Sequence, residues 1–410
     1  MDEFTVTIEK LLYGGDGLAR RDGKAVFIPH SIPGDELRVW TVEEKKNYIR
    51  AGIARMLRPG SGRIDPACPY FGRCGGCDWQ QLEYARQVES KRQILEELFH
   101  HRFPETRNLS ITMKACPQPF GYRSRARAQR RCDDENVVIG FFRNGSHVVE
   151  NIESCLLFRP KLNEALRALR QAGRRLPGLM YRKGVSRERE IDIACSEEEG
   201  FWIAEPSGIE YEPSEKQTLL RRKIGGFTYA VSASTFFQAN DFMTGELVAR
   251  VMNCVAGIDG GTALDLFSGV GLFSLPLARR FRTVTAVEYA RPSHQLCVAN
   301  ARFAGLGNIQ SVCADAGKWL ESLDTRSGDL RQRFDVIVLD PPRAGVGADV
   351  MKRIGRLSPQ IIVYVSCDPQ TLVRDIGGLE PWSWRIESIE GLDMFPQTYH
   401  FETVVRLARN

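Results

Sequence analysis

The chain predicts a multidomain α/β protein whose C-terminal half is a parallel sheet covered by helices. Five short apolar runs, TALDLF (262–267), TVTAVE (283–288), IQSVCAD (309–315), FDVIVLD (334–340) and IIVYVSC (361–367), are each followed by a helix-like segment. Nearly continuous apolar strands alternating with helices indicate a sheet buried on both faces. A Gly-rich turn closes the first run, as nucleotide-binding sheets require. Residues 1–58 instead carry short strands broken by Gly turns, which suits a small OB-like β-barrel.

In chain order, Phe4, Val6 and Ile8 alternate with polar residues, which fits a half-buried strand. YGGDG and IPGDE read as turns, and 26–28, 37–39 and 49–57 as further strands. Residues 59–80 are rich in Pro, Gly and Cys and poor in apolar side chains, so something else must order them. Leu82, Ala85, Val88, Ile94, Leu95 and Leu98 fall near one stripe of a helix over 81–100. VVIGFF, EIDIAC and GFWIAE add strands around a helix near 161–170. The expected units are therefore a barrel (1–58), a central α+β domain (59–235) and a catalytic domain (236–410), with 384–392 and 401–408 closing its sheet edge.

Hydrophobic residues make up 43% and charged residues 26%, an ordinary globular composition. No apolar run nears the roughly 20 residues of a membrane helix, and the N-terminus MDEFTVTIEK lacks the basic and apolar parts of a signal peptide. A cytoplasmic protein with no membrane partner is expected, and a monomer by default. Net charge is +5, but 120–131 (FGYRSRARAQRR) holds five arginines and no acid. That suits either a phosphate-tracking surface or a solvated strand. Eleven cysteines, an odd number at uneven spacing, argue against a disulfide framework and for metal or catalytic use.

The first apolar strand runs into Ser268-Gly269-Val270-Gly271, and the next strand ends in Glu288. Glycines let backbone approach a ligand closely, and an acid about 20 residues on accepts from a ribose hydroxyl. Ser274 stands where a dinucleotide fingerprint has its third glycine, which lowers the case for a dinucleotide. Asp265-x-Phe267-x-Gly269-x-Gly271 instead resembles the first motif of class I methyltransferases, with Asp315 placed to accept from the adenine amino group. Asp340, in Leu339-Asp340-Pro341-Pro342-Arg343, and Cys367, in Val365-Ser366-Cys367-Asp368-Pro369, end the fourth and fifth strands. Open α/β sheets bind ligands at these strand ends. Most free cysteines are small buried hydrophobes, but a thiolate here offers covalent catalysis. Uracil C5 is a poor nucleophile until a thiolate adds at C6 and pushes electron density onto C5. Glu402, an acid inside an apolar final strand, is either an edge ion pair or a sheltered general base.

DLFSGVG, DPPR, VSCDP and FETVVRL, together with Phe236-Phe237-Gln238-Ala239-Asn240, resemble in type and order the RNA 5-methyluridine methyltransferase family, in its iron–sulfur branch. The resemblance covers nearly the whole chain. It implies Cys367 as nucleophile, Glu402 as base, and Gln238, Phe267, Glu288, Asp315 and Asp340 around S-adenosylmethionine. Leu272 falls at a further cofactor-contacting position that is Asn in relatives. Residues 1–58 resemble the family's TRAM domain, an RNA-binding barrel. The implied partner is RNA, with 23S ribosomal RNA favoured by the iron–sulfur branch and the tRNA T-loop as the alternative.

Cys68-x5-Cys74-x2-Cys77 is a strong metal signal in a stretch without a core. Spacing leaves zinc and an iron–sulfur cluster open, and Cys116, Cys132 and Cys155 open as the fourth ligand. The resemblance implies Cys155 and a [4Fe–4S] cluster. Cys195, Cys254, Cys297 and Cys313 read as core. Two other functions fit parts of the pattern. Methylation of an exocyclic base nitrogen would use the Asp-Pro-Pro loop and need no thiol. A non-catalytic RNA-binding protein would use neither Cys367 nor Glu402.

Overall fold

The computed structural model describes residues 3–132, 137–172, 187–204, 219–324, 333–379 and 384–410. Strands β1 (Glu3–Thr7), β2 (Lys10–Leu11), β3 (Gly17–Arg21), β4 (Lys24–Ile28), β5 (Glu36–Glu44) and β6 (Tyr48–Arg58) form one sheet in the order β1-β5-β6-β4-β3-β2. The sheet curls around Phe4, Val6, Ile8, Val26, Ile28, Leu37 and Val39, and the Glu9 N–H reaches Leu18 O to draw its ends together. Asp35 fixes the β4–β5 corner: it accepts from the Ile32 and Gly60 amides and pairs with Arg63.

Helix α1 (Tyr84–Arg102) and strand β7 (Thr112–Lys114) follow. The central sheet is antiparallel, β10-β9-β8-β11-β12, built from β8 (Arg125–Cys132), β9 (Val137–Phe142), β10 (Val149–Asn151), β11 (Arg187–Ser196) and β12 (Gly200–Ala204). Helix α2 (Pro160–Ala172) covers it, burying Leu162, Ala165, Leu166 and Leu169 against Ile139, Ile191 and Ile193. The arginines of 120–131 largely serve the chain itself. Arg125 donates to Ala233 O, Arg127 pairs with Asp192, and Arg130 is buried. The basic run is thus in good part structural, because the adjoining strand and loop supply acceptors.

The hairpin β13 (Leu220–Ile224) and β14 (Phe227–Val231) leads through α3 (Thr244–Cys254) into the catalytic sheet. Its elements are β15 (Thr262–Leu266), α4 (Ser274–Arg280), β16 (Thr283–Glu288), α5 (Arg291–Phe303), β17 (Ile309–Cys313), α6 (Ala316–Asp324), β18 (Val336–Leu339), α7 (Ala348–Arg356), β19 (Ile361–Ser366), α8 (Pro369–Ile376), β20 (Trp384–Leu392) and β21 (Glu402–Arg409). The order is β17-β16-β15-β18-β19-β21-β20-β7. Strand β21 runs antiparallel to both its neighbours, while the other pairs are parallel. All five apolar runs are strands, and the two final runs join the sheet, the last inserted between β19 and β20. Strand β7, which the sequence placed in the central unit, forms the sheet's outer edge.

Helix α1 corrects its sequence reading. Ala85 is exposed, while Gln87 and Lys91 lie on the buried face beside Ile94, Leu95 and Phe99. Both polar side chains are satisfied there. Lys91 Nζ meets Asp393 Oδ1 at 2.6 Å and Phe395 O at 3.1 Å, over the face of Trp79. Gln87 donates to Trp79 O, Leu82 O and Gln397 Oε1, and accepts from the Gln397 amide. These bonds tie α1 to the 393–401 segment that leads into Glu402. Removing one partner of a buried ion pair strands the other charge, so Lys91→Ala should cost about 3–5 kcal/mol, read as a lowered melting temperature.

Candidate active site

The site forms where the parallel strands end. Phe267 follows β15, Glu288 ends β16, Asp315 lies just past β17, Asp340 just past β18 and Cys367 just past β19. The Asp340 amide contacts Leu266 O, so the fourth strand end abuts the first. At the nucleotide turn Phe267 takes φ 62, a left-handed conformation that a bulky side chain rarely adopts. Gly269 (φ 55) and Gly271 (φ 94) complete the reversal. A Cβ on Gly271 would stand 2.8 Å from Leu275 Cδ1 and 3.1 Å from Cys297 Sγ, so that glycine lets the turn pack on α4 and α5.

Glu288 accepts from the Gly269 and Ala290 amides, which aims its half-exposed carboxylate along the turn. Asp315 is exposed and caps the start of α6 through the Lys318 amide. Gln238 is buried, next to Phe237 in the core, with Phe236 exposed. Asn240 of the same motif donates to Met394 O at 2.9 Å, joining it to the segment before Glu402. Leu272 is held in the core beside the turn. Its side chain is buried among Val270, Phe273 and Leu275, and its carbonyl receives the Tyr229 hydroxyl. An apolar side chain at this place is absorbed by packing.

Strands β19 and β21 bring the two chemical residues together. Ser366 pairs with Thr403 as the last rung of an antiparallel ladder, and continuing that register by one residue brings Cys367 toward Glu402, whose charge acts on the thiol. Glu402 is 3% exposed, and its Oε2 has no hydrogen-bond partner. Burial, then the nearby Asp340 carboxylate, hold Glu402 well above the usual carboxylate range, with Arg343 offsetting in part. Burial likewise raises Asp340. Two neighbouring buried carboxyls cannot both ionise freely, so each raises the proton affinity of the other. Cys367 is half-buried, and burial, followed by Glu402, pushes its thiol up to about 12, with Arg343 pulling the other way. The thiol is therefore protonated at rest and needs an acceptor nearby. Arg343 approaches His400 at 3.4 Å, and burial, then Arg343, lowers that imidazole to about 3, so it stays neutral. The sequence showed Arg343 in DPPR but gave it no role.

The Cys367 backbone is anchored from both sides. Asp368 caps α8 by accepting from the Gln370 and Thr371 amides, and the Ser366 hydroxyl bridges to Asp368. The Tyr13 hydroxyl of the barrel donates to Cys367 O. Nothing in the sequence pointed to Tyr13 beyond an aromatic beside a Gly turn.

The cysteine loop packs on the central sheet: the Gly75 amide bonds Phe142 O and Cys74 bridges to Arg143. Cys68, Cys74 and Cys155 all bear on the protonation of Cys77, after burial, and Cys68 and Cys74 bear on Cys155. Cys116 turns elsewhere, to Gln118 and Asn240. The Cys132 side chain lies outside the described residues. Among those residues no group of three or more His, Cys, Asp or Glu is arranged to hold a metal ion. Cys195, Cys254 and Cys297 are buried as expected, but Cys313 is exposed because it ends an edge strand. No described helix is long and apolar enough to cross a membrane.

A methyltransferase sheet with one antiparallel strand, a nucleotide turn, and a thiol facing a buried acid define a cofactor-dependent group-transfer enzyme. Residues 215–410 match the family described as tRNA (Uracil-5-)-methyltransferase, and residues 2–55 match the TRAM domain. The chain is 32% identical to a 23S rRNA (uracil(1939)-C(5))-methyltransferase RlmD from Pectobacterium atrosepticum, over 98% of this chain and 92% of the relative. A Yersinia enterocolitica protein of the same name is 34% identical over 98% and 94%. The Pyrococcus abyssi tRNA (uracil-54, C5)-methyltransferase, solved with S-adenosyl-L-homocysteine, shares the fold with a TM-score of 0.72 at 24% identity, over 99% of this chain and 100% of that one. The chain belongs to the uracil-5-methyltransferase family of S-adenosylmethionine-dependent RNA enzymes.

Proposed function

We propose that this enzyme methylates C5 of a uridine in 23S ribosomal RNA, with Cys367 as covalent nucleophile and Glu402 as base. The observation that supports it most is a thiol at the end of β19 that feels the charge of a buried acid with an unpartnered oxygen at the start of β21. S-adenosylmethionine supplies an electrophilic methyl on its sulfonium. Around it, Glu288 suits the ribose hydroxyls, Asp315 the adenine amino group, and the Phe267–Gly271 turn the backbone approach. Gln238 and Asp340 complete the expected contacts.

The Cys367 thiol loses its proton to solvent, and the thiolate adds to C6, forming the S–C6 bond and moving the C5–C6 π electrons toward O4. C5 of the resulting enolate would take the methyl that the sulfonium supplies, the pair of the broken C–S bond staying on that sulfur. Glu402 then removes the C5 proton, the electrons restore the C5–C6 double bond, and the C6–S bond breaks to free Cys367. The target uridine has to leave its stack to reach Cys367. The ribosomal substrate follows the relatives named for it. Transfer of labelled methyl groups to 23S rRNA fragments, recovered as 5-methyluridine, tests this directly. Labelling of tRNA instead would change the substrate, and label on an exocyclic nitrogen would contradict the chemistry.

Cys68, Cys74, Cys77 and Cys155 are proposed to hold a [4Fe–4S] cluster. Three cysteines on a loop lacking its own core, with Cys155 near enough for its charge to act on Cys77, are the donor set such a cluster uses. With four thiolate ligands it would tie the loop to the segment before α2 and take no part in methyl transfer. Anaerobic purification should give a brown protein with about four irons, as a cluster held by four thiolates contains. A colourless protein with one zinc would contradict this.

A further inference from the structure

We propose that Tyr13, in the β2–β3 turn of the N-terminal barrel, is a positioning residue that holds the nucleophile's peptide in its attacking orientation. This rests on Cys367 being the nucleophile. The Tyr13 hydroxyl donates to Cys367 O at 3.2 Å, across 354 residues of sequence. Its ring is wedged edge-on to Tyr399 (5.2 Å), Phe401 (6.0 Å) and His400 (6.4 Å), the residues that lead into and flank Glu402. The barrel therefore touches both chemical strands at their active ends.

The turn that presents Tyr13 is itself seated. Trp79, fully buried, donates to Gly15 O at 3.0 Å. A Cβ on Gly15, at φ +96, would stand 3.2 Å from both Asp78 Cβ and Tyr399 Cδ1, so the tip fills the gap between the end of the cysteine loop and the catalytic segment. Lys10 adds an ion pair to Glu97 of α1.

On the far side of the thiol, Asp368 is locked by its cap to α8. The peptide joining Cys367 to Asp368 is thus held at its nitrogen side by Ser366 and at its oxygen by Tyr13. Turning that peptide swings the sulfur. Attack needs sulfur and C6 in near-attack geometry, and a displacement of about 1 Å costs about 10²-fold in rate. The barrel would then act on the chemical step itself, beyond any part it takes in gripping RNA.

The test uses the full-length holoenzyme. Tyr13→Phe removes the hydroxyl and keeps the ring, so the fold is expected to hold. Tyr13→Ala removes both. Equilibrium RNA binding, KM, kcat and the single-turnover rate of adduct formation with 5-fluorouridine RNA are compared. Loss of one hydrogen bond predicts about a tenfold lower kcat and adduct rate in Tyr13→Phe, with RNA affinity and KM within about twofold of wild type. Tyr13→Ala should lose more of both rates. Wild-type kcat and adduct rate in Tyr13→Phe, or a loss confined to RNA affinity, would overturn the proposal. Cys367→Ala, run alongside, separates the two readings. If it still turns over, the nucleophile assignment fails and takes Tyr13's role with it. If it is dead while Tyr13→Phe is fully active, Tyr13 alone is wrong.

Discussion

Cys367→Ala should lower kcat by about 10⁴-fold or more, the scale seen when a covalent nucleophile is removed, while S-adenosylmethionine and RNA still bind. The reason is chemical. Without addition at C6 there is no electron-rich C5, and no neighbouring carboxylate can substitute because an oxygen adduct would not form with comparable ease. The thiol lies half-buried beyond β19, with a raised pKa from burial and the facing Glu402. Its loss leaves the ladder between Ser366 and Thr403 intact. Steady-state methylation with parallel binding measurements checks the prediction. A fall in binding equal to the fall in kcat would show instead that the residue supports the fold.

Glu402→Gln should be the second large effect, and it should split activity from stability. Removal of a general base costs about 10²- to 10⁴-fold. The methylated adduct should accumulate, since proton removal at C5 precedes elimination of the cysteine. Stability should move the other way. Glu402 is buried, and its folded-state pKa lies well above that of an unfolded glutamate, because of burial first and Asp340 second. A raised carboxyl favours the folded state below the unfolded pKa, near 4.3. That contribution is lost as pH rises through the folded pKa. At pH 8, well above the unfolded pKa, keeping this carboxyl buried is therefore a cost that a neutral amide avoids. Gln in its place should raise the melting temperature at pH 8 by a few degrees, about 2–4 °C per kcal/mol for a domain of this size, and make little difference at pH 5. The wild-type kcat should climb from pH 6 to 9, because both Cys367 and Glu402 must lose protons from raised positions. A melting temperature that falls at pH 8 would mean Glu402 has an ion-pair partner that stabilises it.

The catalytic sheet was readable because its strands are apolar on both faces, from TALDLF to IIVYVSC, and each runs into a polar or Gly-rich strand end. Its edge was not. Strand β7 has three residues, too few for a periodic signal. The buried face of α1 was misread because hydrophobic spacing cannot see Gln87 and Lys91, whose partners Gln397 and Asp393 lie some 300 residues on. Leu272 shows the converse: a motif position was legible, but its apolar side chain is drawn into the core. The arginines of 120–131 read as a possible RNA surface until their internal acceptors, Ala233 O and Asp192, came into view. Tyr13 lay beyond reach for the same reason, since its partner at Cys367 is set by how the barrel docks.

The central claim is the covalent adduct, and 5-fluorouridine RNA tests it most directly. Fluorine at C5 cannot leave as a proton, so after methyl transfer the elimination step has no path and Cys367 stays bonded to C6. Incubation with S-adenosylmethionine and substituted 23S rRNA fragments, followed by denaturing electrophoresis, should give an enzyme–RNA band that survives denaturation and is absent in Cys367→Ala. Methyl transfer to unsubstituted RNA with no such band from the fluorinated RNA would contradict covalent catalysis through Cys367.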